Sequence, residues 1–144
     1  MTDAIAHEHG CRYTFEEIHR HLKADLETPW EIVRQNDKIL GLRLRSPVNS
    51  EIKSTLRCVI NTNTWKPEVW VGTDAAATEW GQKLYQCKTL LHLYFAPYLD
   101  ETYNYEGLFT VVLRQSTPEE LAEAEFLWQL KSPISRIIYL ERAS

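Results

Sequence analysis

Phe15, Ile18 and Leu22 recur at helical spacing directly behind Thr14. Thr14 and Glu17 have the spacing of a capping box, in which hydroxyl and carboxylate satisfy each other's backbone amides, so the first helix is predicted from Thr14 to about Lys23. A second Thr-x-x-Glu, Thr28 to Glu31 with Pro29 between, predicts a short turn before Ile32. The period then changes to two. Glu31–Gln35 and Lys38–Arg45 read as strands joined by Asn36 and Asp37, residue types that tolerate the left-handed backbone of a tight hairpin. Leu42 and Leu44 take one face of the second strand, which puts Arg43 and Arg45 together on its outer face. Leu56–Asn61 and Glu68–Gly72 are further β-rich runs around the polar stretch that contains Trp65.

Thr73 or Asp74 predicts the start of a helix reaching about Gln86, with Trp80, Leu84 and Ala76 on its inner face. Thr89–Ala96 reads as a buried strand, and Tyr103–Arg114 as a long one with Gly107 at a bend or bulge. Thr117, Pro118, Glu119 and Glu120 combine a cap, a first-turn proline and acids against the helix dipole. That helix carries Leu121, Ala124, Phe126, Leu127 and Trp128 to about Lys131, and Ile134–Leu140 is the last strand.

The order is one helix, four strands, a helix, two strands, a helix and one strand. Strands in blocks, not in strict alternation with helices, argue against a doubly wound parallel fold. The expected fold is a single α+β domain over 13–144, behind a loose tail at 1–12. About seven strands form a strongly curved mixed sheet or small β-barrel, with about three helices. At 144 residues the chain has one domain's length and can bury a core without disulfides or metal. Three widely spaced cysteines, Cys11, Cys58 and Cys87, read as free thiols of a reducing compartment. No run approaches a membrane span and the first residues lack the pattern of a secretory leader, so the expected location is cytoplasmic.

Charge divides the chain. From Arg34 to Lys66 there are seven basic residues against two acidic, whereas from Asp100 to Glu125 there are seven acids and one base, Arg114. A local patch, more than the net charge of −4, selects a partner. No nucleophile motif or phosphate-binding glycine loop occurs, and Cys58 or Cys87 with His92 is a weak candidate for nucleophilic chemistry. His7, His9 and Cys11, with His19 and His21, have metal-ligand types but not paired ligand spacing, and His19 and His21 point different ways on a helix. Glu51, Ile52 and Lys53, with Asp37 upstream, have the local shape of a nuclease's acid and lysine. No cofactor or metal is expected.

Five Trp and seven Tyr make the chain rich in rings. Trp80 and Trp128 read as core, Trp30 and Trp65 lie in polar turns, Trp70 shares a strand face with Glu68, and Tyr103 shares one with Tyr105. Rings beside Asn, Thr and Arg suit stacking on an unstacked base. The same rings also suit the interior of a small barrel with their polar tips outward.

The run Leu90-Leu91-His92-Leu93-Tyr94-Phe95, followed after a hairpin by Tyr103-Asn104-Tyr105-Glu106-Gly107-Leu108-Phe109-Thr110-Val111, resembles a segment of PUA-like reader domains. These include the SRA- and EVE-related modules of modification-dependent restriction systems. Phe15–His19 and Arg136–Leu140 are similar to the ends of those domains. The resemblance implies a curved barrel that flips a modified base into an aromatic pocket, and a separate nuclease or effector protein that does the cutting.

The expected function is therefore nucleic-acid binding, with modified DNA as a target. Arg43, Arg45, Lys53, Arg57 and Lys66 would contact phosphates, and Trp30, Trp65, Trp70, Tyr103 and Tyr105 would stack on bases. Two other classes remain open on sequence: an acidic protein–protein module, immunity-like or a phage inhibitor, built on Asp100–Glu125, and a small metal-dependent nuclease.

Overall fold

The computed structural model describes residues 8, 10–26, 32–45, 56–61, 66–96, 102–127 and 133–143, with the backbone alone at 45, 56–61, 66 and 127. Its elements are β1 (Arg12–Thr14), α1 (Phe15–Leu22), β2 (Ile32–Gln35), β3 (Lys38–Arg45), β4 (Leu56–Asn61), β5 (Lys66–Val71), α2 (Ala75–Tyr85), β6 (Leu91–Ala96), β7 (Thr102–Val112), α3 (Pro118–Leu127) and β8 (Arg136–Arg142). Seven strands form one mixed sheet in the order β2-β3-β6-β7-β8-β5-β4, and the short β1 pairs off this path with β7. β3 and β6 run parallel, and the other pairs are antiparallel.

The sheet curls. Leu42 and Leu44 of β3 share one buried cluster with Val69 and Val71 of β5, although three strands, β6, β7 and β8, separate the two in the ladder order. Side chains that far apart meet only across a concave face, and the backbone of β4 returns close to β3. Leu91, Leu93, Phe109, Ile138 and Leu140 complete this interior, and α2 closes it with Ala77 and Leu84. Gly81 lets α2 approach the sheet, because a Cβ there would lie 2.7 Å from a methyl of Val71. The convex face carries two separate clusters. α1 covers one through Ile18, above Val33, Tyr94, Ala96, Tyr103 and Tyr105. α3 covers the other through Ala124, above Trp70, Ile134 and Ile137. The arrangement is the expected curved, mixed α+β sheet with three helices.

Gly107 decides which rings face which way. At φ 96° it sits where the β6–β7 register shifts, leaving Glu106 as the extra residue between Tyr105, opposite Tyr94, and Gly107, opposite Leu93. An extra residue reverses the alternation. Phe109 therefore points into the concave core while Tyr103 and Tyr105 point to the convex face. The expected bulge at Gly107 is thus what builds the aromatic layer beneath α1.

Two expectations need correction. Cys11 and Gly10, read as tail, are tied to Tyr105 through backbone bonds of 2.9 Å, and β1 extends this pairing from Arg12. A three-residue strand is too short to show periodicity, and it exists here because β7 offers it an edge. Ala76, read as an inner residue of α2, is exposed, while Ala77 makes the core contact. Trp128 and the turn at Thr28–Glu31 lie outside the described residues.

Candidate functional site

The polar centre of the molecule lies between α1 and the convex face of β3, β6 and β7. The capping box at Thr14 starts α1: Glu17 N–H donates to Thr14 Oγ1 at 3.2 Å, and Thr14 N–H donates to a Glu17 carboxylate oxygen at 2.9 Å. Lys23, at φ 55°, ends it. This places Ile18 and His19 inward. Arg43 projects from β3 into the same space, where Phe15 stacks on His19 with ring centroids 4.0 Å apart and the Arg43 guanidinium lies 4.4 Å from the Phe15 centroid.

The hydrogen bonds fix the state of His19. Arg43 Nε–H donates to His19 Nε2 at 3.1 Å, so Nε2 must carry the lone pair. The proton is on Nδ1, which donates to the Asp25 carbonyl at 2.8 Å. Burial lowers the His19 pKa, the Asp25 carbonyl raises it, and the Arg43 charge lowers it further, for a net downward shift. Arg43 Nη1 also donates to Tyr103 Oη at 3.2 Å. Arg43 is thus an interior cation that ties α1 to β7.

Beside it lies a second group. His92 Nδ1 is 2.8 Å from Tyr105 Oη, and the Tyr105 ring packs against Tyr94 at 4.9 Å. His21, two residues beyond His19, meets His92 edge to face with centroids 6.4 Å apart. The two α1 histidines do point apart, as expected. Burial lowers the His92 pKa and the neighbouring His21 adds to the shift. Burial raises those of Tyr94 and Tyr105, so both remain neutral phenols at ordinary pH.

A solvent-facing basic region lies elsewhere, where the β2–β3 turn meets the end of α2. Asp37, Lys38, Ile39, Lys83, Cys87, Lys88 and Thr89 line a cleft of about 210 Å³. Trp80, half-buried on α2, lies next to it and carries the Lys83 ammonium 4.2 Å and the Arg34 guanidinium 5.6 Å from its ring centroid. Arg34 is also paired with Asp25 at 3.3 Å, and Lys83 with Glu79 at 3.4 Å.

The residues expected to bind nucleic acid fall into three groups. Arg43, Tyr103 and Tyr105 come together, but beneath α1: Arg43 is 8% exposed, Tyr103 4% and Tyr105 7%. Arg43 is on the outer face of its strand as expected, yet that face is covered, so the side chain is buried. Trp70, 2% exposed, lies apart from them under α3, its indole N–H directed at Glu68. These rings offer no open face to a base. Arg45, Arg57 and Lys66 occupy β3, β4 and β5, opposite Ala96, Trp70 and Asn61 in the ladders, and only their backbones are described. Lys53, Trp30 and Trp65 lie outside the described residues, as do Glu51 of the nuclease pattern and His7 and His9 of the N-terminal cluster.

Sequence reasoning missed Lys83 and Lys88, and it weighed His19 and His92 for metal binding and nucleophilic chemistry instead of for this polar centre. The signal for His92 was available, since it alternates with Leu91 and Leu93 and so must share the face of Tyr94. Lys83 and Lys88 lie outside the basic segment, and only the fold brings them to Lys38. Among the described residues no set of three or more His, Cys, Asp or Glu converges to hold a metal. Among those residues, too, no helix is long and apolar enough to cross a membrane. Comparison with protein-family models, characterised proteins and solved structures finds no match to the chain.

Proposed function

We propose that the chain is a nucleic-acid-binding module that reads a base, including a modified one, and leaves any cutting to a separate nuclease or effector. The observation that carries this reading is the cleft where Lys38, Lys83 and Lys88 converge beside the cation-flanked Trp80. Lysines around a concavity suit phosphate oxygens, and counterion release would then supply much of the affinity. Trp80, Trp30 and Trp65 are the rings this reading offers to a base, while Arg45, Lys53, Arg57 and Lys66 extend the phosphate contacts. The PUA-like resemblance supports the same reading, and the buried Trp70, Tyr103 and Tyr105 serve it as scaffold. Gel-shift titration of plain, methylated and hydroxymethylated duplexes and of single strands, at two salt concentrations, tests it. Affinity should fall with salt, and Lys38→Ala or Lys88→Ala should each reduce the log–log slope by about one. No binding at micromolar protein in low salt, or undiminished binding by the double variant, would sink the proposal.

A second reading rests on α3. Glu119, Glu123 and Phe126 are exposed and recur at i, i+4 and i+7, an acidic stripe with a ring at its end. Such a stripe suits a basic protein partner. Reversing Glu119 and Glu123 to Lys tests this class. Glu125 is unsuitable for that purpose, because its carboxylate accepts from the Ile134 amide at 3.0 Å.

A further inference from the structure

The lysine cleft has a charge and a size as well as a position, and both narrow its ligand. Lys38, Lys83 and Lys88 give it three ammonium groups, and Asp37 is the one carboxylate among its described lining residues, a net charge of +2. We propose, on the basis of the nucleic-acid reading, that this cleft holds the terminal phosphate of a nucleic-acid strand, so that the module recognises a phosphorylated strand end in preference to an internal phosphodiester.

A phosphomonoester carries about 1.5 to 2 negative charges at pH 7 and has three terminal oxygens. A phosphodiester within a strand carries a single charge and has two. The monoester therefore matches the net charge of the cleft and offers one oxygen to each ammonium, whereas a diester leaves one lysine unanswered. Among the described residues no carboxylate forms an ion pair with Lys38 or Lys88, although Asp37 lines the same cleft. Lys83 is paired with Glu79 at 3.4 Å. An ammonium has three donors, so Lys83 can keep Glu79 and still reach a phosphate oxygen. The Thr89 hydroxyl adds a neutral donor on the same wall.

A cleft of about 210 Å³ is smaller than the roughly 300–1,000 Å³ of sites that enclose a drug-sized ligand. It suits a phosphate and part of its sugar, and leaves the base to the neighbouring Trp80. Ile39, 5% exposed and part of the concave core, gives the cleft an apolar wall. Such a wall lowers the local dielectric and strengthens the attraction between ammonium and phosphate. Asp37 acts in the other direction, because it repels any further phosphate brought close. A strand that continues both ways has two neighbouring phosphates, and a strand end has one.

The test is fluorescence anisotropy with one short single strand carrying a 5′-phosphate, a 3′-phosphate or hydroxyls at both ends, and with the same strand closed into a circle. At low salt a phosphorylated end should bind roughly tenfold tighter or more than the hydroxyl strand or the circle, the gain of one added charge-assisted hydrogen bond. A preference confined to one end supports the proposal and gives the strand polarity. The preference should fade below about pH 6, where the phosphate loses its second charge. No described lining residue is a histidine, which leaves that change to the ligand. Lys88→Met should abolish the preference and Lys88→Arg should keep it, with near-ultraviolet circular dichroism to show that both variants are folded. Equal affinity for all strands, or a preference that survives Lys88→Met, overturns this proposal and leaves the nucleic-acid reading standing. No binding to any strand removes both. Equal affinity for a phosphoserine peptide overturns the assignment to a nucleic-acid end.

Discussion

Arg43→Met separates an interior strut from a ligand contact. Methionine keeps most of the stem's volume and removes the guanidinium. Two hydrogen bonds from a charged donor are lost, to His19 Nε2 at 3.1 Å and to Tyr103 Oη at 3.2 Å, together with the cation over Phe15. Such bonds contribute about 1.5–3 kcal/mol each, and the partners left behind in the interior add their own desolvation. The expected cost is about 3–5 kcal/mol, a large part of the 5–15 kcal/mol that typically holds a domain together. Urea unfolding followed by tryptophan fluorescence measures it. Replacing both polar partners is far less costly than replacing one, so His19→Leu/Arg43→Met should show a coupling of about 1–3 kcal/mol in a double-mutant cycle. At temperatures where Arg43→Met remains folded, its nucleic-acid affinity should match wild type within about twofold, well under 1 kcal/mol. A destabilisation below 1 kcal/mol, strict additivity, or weakened binding by a fully folded variant would each refute the assignment of Arg43 to the interior.

Three further outcomes are expected. Gly107→Ala places a Cβ at φ 96°, costs about 1–2 kcal/mol and should alter the near-ultraviolet circular dichroism of the tyrosines whose direction the bulge sets. Thr117→Ala removes the oxygen that accepts from Glu120 N–H at 3.2 Å and should cost about 1 kcal/mol in thermal or urea unfolding. Stability should fall on acidification. The folded-state pKa of His19 is below its ordinary 6.5, so the unfolded chain binds the extra proton first, and stability is full above about pH 6.5. It declines as the pH falls from there toward the folded value, by up to about 1.4 kcal/mol per pH unit. His19→Gln, which can keep both hydrogen bonds without titrating, should flatten that slope, and an unchanged slope would count against the mechanism.

Local rules reached the elements with accuracy. The capping boxes of Thr14 and Thr117 place both helix starts, and the left-handed Asn36 at φ 55° forms the expected hairpin. Alternation put Arg43 and Leu44 on opposite faces, as they are. What alternation does not carry is which faces are covered. Arg43 looks like a surface cation on β3, and only the packing of α1, through Ile18 and His19, makes it interior. Tyr103 and Tyr105 share a face in any strand, but the Gly107 bulge chooses which one. The Lys38, Lys83 and Lys88 cleft joins positions 50 residues apart along the chain, a proximity that no local pattern encodes.

The strand order has a consequence for how the chain is made. The β4–β5 hairpin attaches to the rest of the sheet through β8, which follows the sheet's other described strands in the chain. The β2–β3 hairpin likewise waits for β6. Until β8 emerges from the ribosome, β5 has one unpaired edge, and Val69 and Val71 lack the partners that bury them. Exposed edges and apolar strands in a nascent chain invite association with other chains. Folding should therefore be late and slow, since its decisive pairings span long loops. A fragment ending before Arg136 should yield two disconnected pieces of sheet, β2-β3-β6-β7 and β4-β5, in place of a smaller domain.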